Sequence, residues 1–451
     1  MSEYQELIEK DLKYVWHPFT QMKDYENDEP IIIDSGQGIY IQDLKGNRYI
    51  DAISSWWVNT LGHSNSRLNN ALKVQVDKIE HVLLAGFSHV PAIELAERLI
   101  QITPKELTRV FYSDNGSTAV EVALKMAYQY WLQKEMPQKN KFIALKNSYH
   151  GDTIGAVSIG GVDLYHKLYK PLLFDIFQAD SPYCYRCPAG KNKENCSIEC
   201  LNSVENILAD HANETAGIII EPLNQAAGGM IIYPAEYLTR LRKICDDYNI
   251  LLIDDEVAMG FGRTGKMFAF EHANIVPDIM CTAKGLTAGY LPLSATIVKE
   301  DIYQAFYDDY EKLKTFYHGH SFTGNPLAAS VAVENLKIFE EEKIIDSLQP
   351  KIVKLKQELE KFKQLDCVGD IRHIGMIGVL EIVKNKDTKE MFPFEDRVGQ
   401  KIYNEALKQG LILRPLGNIV YFMPPYVITE EEIHTMTQIA YESIEAVFYN
   451  N

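Results

Sequence analysis

Two stretches decide the reading of this chain: Ile250-Leu251-Leu252-Ile253-Asp254-Asp255-Glu256, and Ile279-Met280-Cys281-Thr282-Ala283-Lys284-Gly285. Each is a short apolar run of strand length that ends in residues able to do chemistry. Near-continuous apolar runs of this kind mark strands buried on both faces, as in parallel sheets. A carboxylate and a lysine at the ends of successive strands are what pyridoxal phosphate needs. The lysine tethers the aldehyde as an imine, and the carboxylate keeps the pyridine nitrogen protonated so that the ring accepts electrons. Between the two runs, Gly260-Phe261-Gly262-Arg263-Thr264-Gly265 reads as a tight turn.

Outward from this pair, strands and helices alternate. Strands are expected at 108–112, 141–145, 217–220, 250–253, 279–282 and 293–298, with helices over 117–134 and 235–248. Such alternation predicts an α/β domain with a mostly parallel sheet covered on both faces. Helices are also expected at 4–15, 91–101, 326–342, 345–363 and 396–409. Further strands are expected at 31–33, 38–41, 375–383 and 419–423. The predicted organisation is an N-terminal segment (1–60) that joins a smaller α+β domain, a large domain (61–330) and a C-terminal small domain (331–451).

At 451 residues the chain exceeds one ordinary domain. Its 46% hydrophobic and 24% charged residues are those of a soluble globular protein. A net charge of -17 disfavours nucleic acid and anionic membrane as partners, because both need clustered Lys and Arg. The start, Met1-Ser2-Glu3-Tyr4-Gln5-Glu6, has neither the basic start nor the apolar core of a signal peptide. No apolar run approaches the ~20 residues of a membrane helix, so a cytoplasmic location is expected. Cys184, Cys187, Cys196 and Cys200 are spaced C-x2-C-x8-C-x3-C. They could close a small structural zinc loop, or be free thiols on a surface excursion. No catalytic metal is expected.

Other residues carry candidate roles. Asp114-Asn115-Gly116-Ser117-Thr118 links a strand to a helix, where free amides and the Ser117 and Thr118 hydroxyls suit a phosphate or simply cap the helix. Tyr149, in Tyr149-His150-Gly151, ends the next strand and could stack on a cofactor ring. Trp56-Trp57 could wall an apolar ligand or pack in the core. Arg414, in Arg414-Pro415-Leu416-Gly417, could clamp a substrate carboxylate or form a surface ion pair. His318-Gly319-His320-Ser321 reads as a phosphate or ring contact, since no further metal ligands lie nearby in sequence.

These residues resemble the class III pyridoxal-phosphate aminotransferases, of fold type I, from Trp16-His17-Pro18 to Met423-Pro424-Pro425-Tyr426. The Asp-Glu, Gly-Phe-Gly-Arg-Thr-Gly and Lys284 motifs mark the wider family. Ser54-Ser55-Trp56-Trp57, His89-Val90-Pro91, Tyr149-His150-Gly151-Asp152-Thr153 and Tyr421-Phe422-Met423-Pro424-Pro425-Tyr426 are more specific to one branch. The resemblance implies a reaction: 8-amino-7-oxononanoate to 7,8-diaminononanoate in biotin biosynthesis, with S-adenosylmethionine as donor. It also implies roles. Lys284, Asp255 and Tyr149 are catalytic, and Gly116 and Ser117 hold the cofactor phosphate. Trp56, Tyr149, Lys284, Gly319 and Arg414 meet substrate. Gly319, His320 and Ser321 reach the site from the second subunit of a homodimer with shared active sites.

Two departures bear on the donor. Phe19 stands where the family has tyrosine after His-Pro, and Gly319-His320-Ser321 replaces Gly-Pro-Thr. Lysine is therefore an alternative donor. Another class III enzyme acting on an ω-amino acid, and a non-catalytic cofactor-binding or zinc-loop protein, are the rival readings.

Overall fold

The structure is a computed structural model that describes residues 3–28, 30–192 and 195–449. Its centre is a seven-stranded sheet, ordered 107–113, 294–299, 279–282, 251–255, 215–220, 141–145, 177–179. Only Ser294–Lys299 runs antiparallel to its neighbours, Ile279–Thr282 and Leu107–Ser113. The other adjacent pairs are parallel. Thr215–Ile220 and Leu251–Asp255 are buried at every position, as the unbroken apolar runs require. Gly116–Gln133 packs on one face of the sheet through Ala119, Val120, Val122 and Ala123.

Strands 141–145 and 279–282 fall where the sequence places them. The N-terminal strands do not. Ile31 and Ile32 lie outside any strand, and the strands are Ile33–Gln37, Tyr40–Asp43 and Arg48–Asp51. Gly38, expected within a strand, turns the chain between the first two at φ +61°. The expected strand at 375–383 is a hairpin of Val368–Ile374 and Ile377–Ile382, turning at Gly375 with φ +53°. Arg48–Asp51 pairs in parallel with Leu411–Ile412, so the chain's two ends share one sheet.

Arg263, from the glycine-rich turn, ties these ends to the large sheet. It is 1% exposed and has no carboxylate partner among the described residues. Its guanidinium instead donates to the carbonyls of Pro424 (2.9 Å), Trp57 (3.1 Å) and Asn59 (3.3 Å) and lies over the Tyr426 ring. Burial lowers its pKa, against the opposing pull of Tyr426 and the Asp51 carboxylate.

The segment it holds is strained. Ser54, Ser55, Trp56 and Trp57 all have φ between +45° and +72°, a left-handed turn made without glycine. Each such residue costs about 1–2 kcal/mol. Ser54 Oγ donates to the Met423 carbonyl, and Asp51 accepts from the Ser55 amide and hydroxyl, which fixes the turn from both sides.

Arg263→Met should therefore destabilise the protein by about 3 kcal/mol or more, because several buried carbonyls lose their only strong donor. The check is a lower urea midpoint; an unchanged midpoint contradicts this role.

Candidate active site

Asp255 ends its strand, and Lys284 lies two residues beyond the next. The two strands are parallel neighbours in the register Asp255↔Cys281, so both residues emerge at the same edge of the sheet. They line one cavity of about 620 Å³ with Trp57, Gly116, Ser117, Tyr149, His150 and Glu221. Lys284 itself has φ +31°, a strained backbone of the kind found at functional sites. Its Nζ sits 4.9 Å from the centroid of the Trp57 ring.

Asp255 is 4% exposed. Oδ2 is 2.7 Å from His150 Nδ1, and Oδ1 accepts from the Val257 amide at 3.1 Å. These bonds hold the carboxylate facing the cavity. Asp254 points to the opposite face of the strand by the two-residue period. There burial, with the Asp255 charge nearby, raises its pKa far above the carboxylate range.

Burial pulls the Lys284 ammonium below its ordinary pKa, while the charges of Asp255 and Glu221 work against that pull. A lysine so placed gives up its proton more readily, as a nucleophile and proton carrier must. Glu221 is pushed up to about 7, chiefly by burial. It accepts from the Tyr149 and Ala226 amides, both at 2.9 Å, and so fixes the loop carrying Tyr149 and His150. Tyr149 donates to Asp152 at 2.8 Å, and burial first and then that carboxylate raise its phenol pKa. Tyr149 is thus a neutral ring on the cavity wall.

The phosphate-type corner lies at the start of the Gly116–Gln133 helix. The Asn115 side chain caps the Thr118 amide, and the Thr118 hydroxyl is spent in the same capping box. Thr118 is therefore not the free donor the sequence allowed. The Gly116 and Ser117 amides remain for an anion. A Cβ on Gly151 would meet Ser117 Oγ at 2.0 Å, so only glycine lets these two loops close on one another.

Arg414 stands apart, at the outer part of the site. Its guanidinium lies over the Trp56 ring at 4.1 Å and makes no ion pair or hydrogen bond to another described residue. Phe19 is edge-on to both Trp56 and Tyr165, each at 5.4 Å, and Tyr165 is 6.1 Å from Tyr149. The left-handed turn thus aims Trp57 at Lys284 and Trp56 at Arg414. Gly319, His320 and Ser321 do not line the Lys284 cavity of their own chain. They line a separate cavity of about 440 Å³ with Leu83, Phe87 and Ile93. His320 Nδ1 lies 2.9 Å from Asp114, a residue that does line the Lys284 cavity.

Sequence reasoning missed His150, Glu221 and Tyr165 as site residues, and placed Trp57 only as one of a tryptophan pair that could wall a ligand. His150 had one usable signal: it follows Tyr149 in the same strand-end loop. Glu221 and Tyr165 meet their partners only through the fold.

A parallel-sheet edge that presents a held carboxylate, a lysine and the Gly116–Ser117 amides of a helix start is the arrangement of a transaminase-type site. The chain belongs to the aminotransferase class-III family, whose model matches residues 22–444. It is 49% identical over 450 residues to the adenosylmethionine-8-amino-7-oxononanoate aminotransferase of Geobacter sulfurreducens, covering 99% of each chain. The crystal structure of the enzyme of that name from Methanocaldococcus jannaschii superposes with a TM-score of 0.94 at 43% identity, covering 98% of this chain and 99% of that one. The omega transaminase of Pseudomonas jessenii in complex with PMP gives a TM-score of 0.93 at 34% identity, covering 98% of both.

If one amine serves as both nucleophile and proton carrier, Lys284→Ala should fold as the parent does but lose transaminase turnover by at least ~10³-fold. Near-normal turnover in this variant would place the catalytic amine elsewhere.

Proposed function

We propose that this chain transfers an amino group from S-adenosylmethionine to 8-amino-7-oxononanoate, giving 7,8-diaminononanoate in biotin biosynthesis, with pyridoxal phosphate as cofactor. The observation that carries the substrate reading is Arg414, a guanidinium on the Trp56 ring with no carboxylate of its own. A long keto acid with one terminal carboxylate supplies the missing partner while its chain lies along the tryptophan. The names of relatives matched over nearly the whole chain support the same reading.

The residues present fit the cofactor. The Gly116 and Ser117 amides would hold its phosphate, Tyr149 would flank its ring, and Asp255, braced by His150, would face its ring nitrogen. When bound, it supplies a carbon to carry the amino group and a ring to take up electrons. Lys284 Nζ would do the protein's part: it would anchor the group and, once free, would carry a proton to and from the substrate carbon. The second substrate reverses these proton transfers at the same nitrogen. Trp57, packed against Lys284, limits water at that atom.

The division at about residues 60 and 330 into an N-terminal segment, a large domain and a small domain belongs to this reading. So does a cytoplasmic homodimer with shared sites. Leu83, Phe87, Val90, Ile93 and Phe322 are each more than half exposed and lie around the cavity lined by Gly319–Ser321. A cluster of apolar side chains this exposed supports a protein interface, across which His320 and Ser321 would meet the partner's cofactor.

Arg414→Ala should raise KM for 8-amino-7-oxononanoate about 30- to 150-fold, the worth of a charge-assisted bidentate contact of about 2–3 kcal/mol, with a smaller effect on the donor. Equal losses for both substrates would mean a folding or assembly defect instead.

The donor is tested by single-turnover spectroscopy with S-adenosylmethionine and lysine offered separately. Phe19 supplies a ring but no hydroxyl, and one lost hydrogen bond weakens a donor by only about 0.5–1.5 kcal/mol without excluding it. S-adenosylmethionine should convert the bound cofactor at millimolar concentration. Conversion by lysine alone would replace the donor and leave the acceptor reading intact.

A further inference from the structure

Cys184, Cys187, Cys196 and Cys200 line a single cavity of about 300 Å³, together with Lys191 and Tyr237, that shares no residue with the Lys284 cavity. None of the four is in a disulfide. Both flanks of the segment are pinned. Tyr183 and Arg186 bond to the buried Glu381 of the 377–382 strand, Arg186 at 2.7 Å. On the other side, Ser203 Oγ donates to the Cys200 carbonyl at 2.9 Å.

Two observations point to a ligand within this loop. The Ile198 amide donates to Cys196 Sγ at 3.3 Å from a left-handed backbone, φ +62°, a bond that stabilises sulfur as an anion. The Tyr237 hydroxyl is fully buried and lines the cavity without a hydrogen-bond partner. Four thiolates cannot share this space unless a cation joins them; Lys191 is already paired with Glu199 at 3.7 Å, and Glu236 adds a carboxylate to the lining.

We propose that the four cysteines bind one zinc ion as a structural, tetrathiolate site that ties Cys184 and Cys187 to Cys196 and Cys200. Among the described residues no three His, Cys, Asp or Glu side chains are already placed to hold a metal ion, so binding requires the loop to close around the ion, as it does in small zinc folds. The x2 and x3 spacings place the cysteines in two close pairs. Closing releases the thiol protons to solvent. Four sulfurs leave no open coordination position, so the metal takes no part in transamination.

The test uses the full-length enzyme, purified without chelators from zinc-supplemented cells. About one zinc per chain is expected by mass spectrometry, released in step with mercurial titration of four thiols. Cobalt exchange should give thiolate-to-cobalt absorption. Cys187→Ser with Cys200→Ser should drop zinc below ~0.1 per chain, while Cys367→Ser, outside the cluster, should retain it. If the double variant misfolds, the titration of the parent enzyme stands alone. The proposal is overturned by parent enzyme that holds no zinc even after anaerobic addition of zinc to the reduced protein. Iron in its place, or zinc unaffected by loss of the cluster, overturns it equally.

Discussion

A carboxylate buried at a sheet edge is costly unless it is hydrogen-bonded, and the site of this protein is organised around keeping Asp255 there. His150 and the Val257 amide supply the bonds. His150 is in place because Glu221 holds the Tyr149 amide, and Glu221 in turn stands at the end of the neighbouring Thr215–Ile220 strand. Three successive strand ends therefore fix one acceptor. The parallel register then delivers Lys284 to the same edge. An antiparallel order between these two strands would have put the lysine at the far side of the sheet.

A second constraint joins this edge to the chain's ends. The left-handed turn Ser54–Trp57 stores strain, and it persists because Arg263, Asp51 and the Met423 carbonyl leave it no relaxed alternative. The reward is functional. Two adjacent tryptophans face different chemistry, one the lysine and one the arginine. The buried Arg263 charge also reaches Lys284 and helps to lower its pKa, though less than burial does. A motif that reads as a glycine turn is thus a joint between the sheet and both termini.

The large sheet was legible because buried parallel strands leave unbroken apolar runs bounded by turn residues, and Asp255 and Lys284 were legible because they end two of those runs. The Gly116–Gln133 helix was legible from its glycine start and apolar face. The C-terminal helix Glu430–Phe448 carries a Thr429–Glu432 capping box, yet lay beyond the segments assigned from periodicity. The left-handed turn was illegible in principle: Ser-Ser-Trp-Trp has no residue that favours positive φ, and only tertiary contacts impose it. Glu221 and His150 were hidden for a related reason. Their partners lie 72 and 105 residues away, and no local pattern announces such a contact. The cysteine spacing was visible, but that the four thiols share one cavity is a property of the fold.

The account rests most heavily on Lys284 as the residue that tethers the cofactor opposite Asp255. Borohydride reduction of the yellow holoenzyme, followed by proteolysis and mass spectrometry of the peptides, tests it directly. The account predicts one phosphopyridoxyl group per chain, on Lys284 and on no other lysine. A label on a different lysine, or a chain that takes up no label while folded and saturated with pyridoxal phosphate, would contradict it.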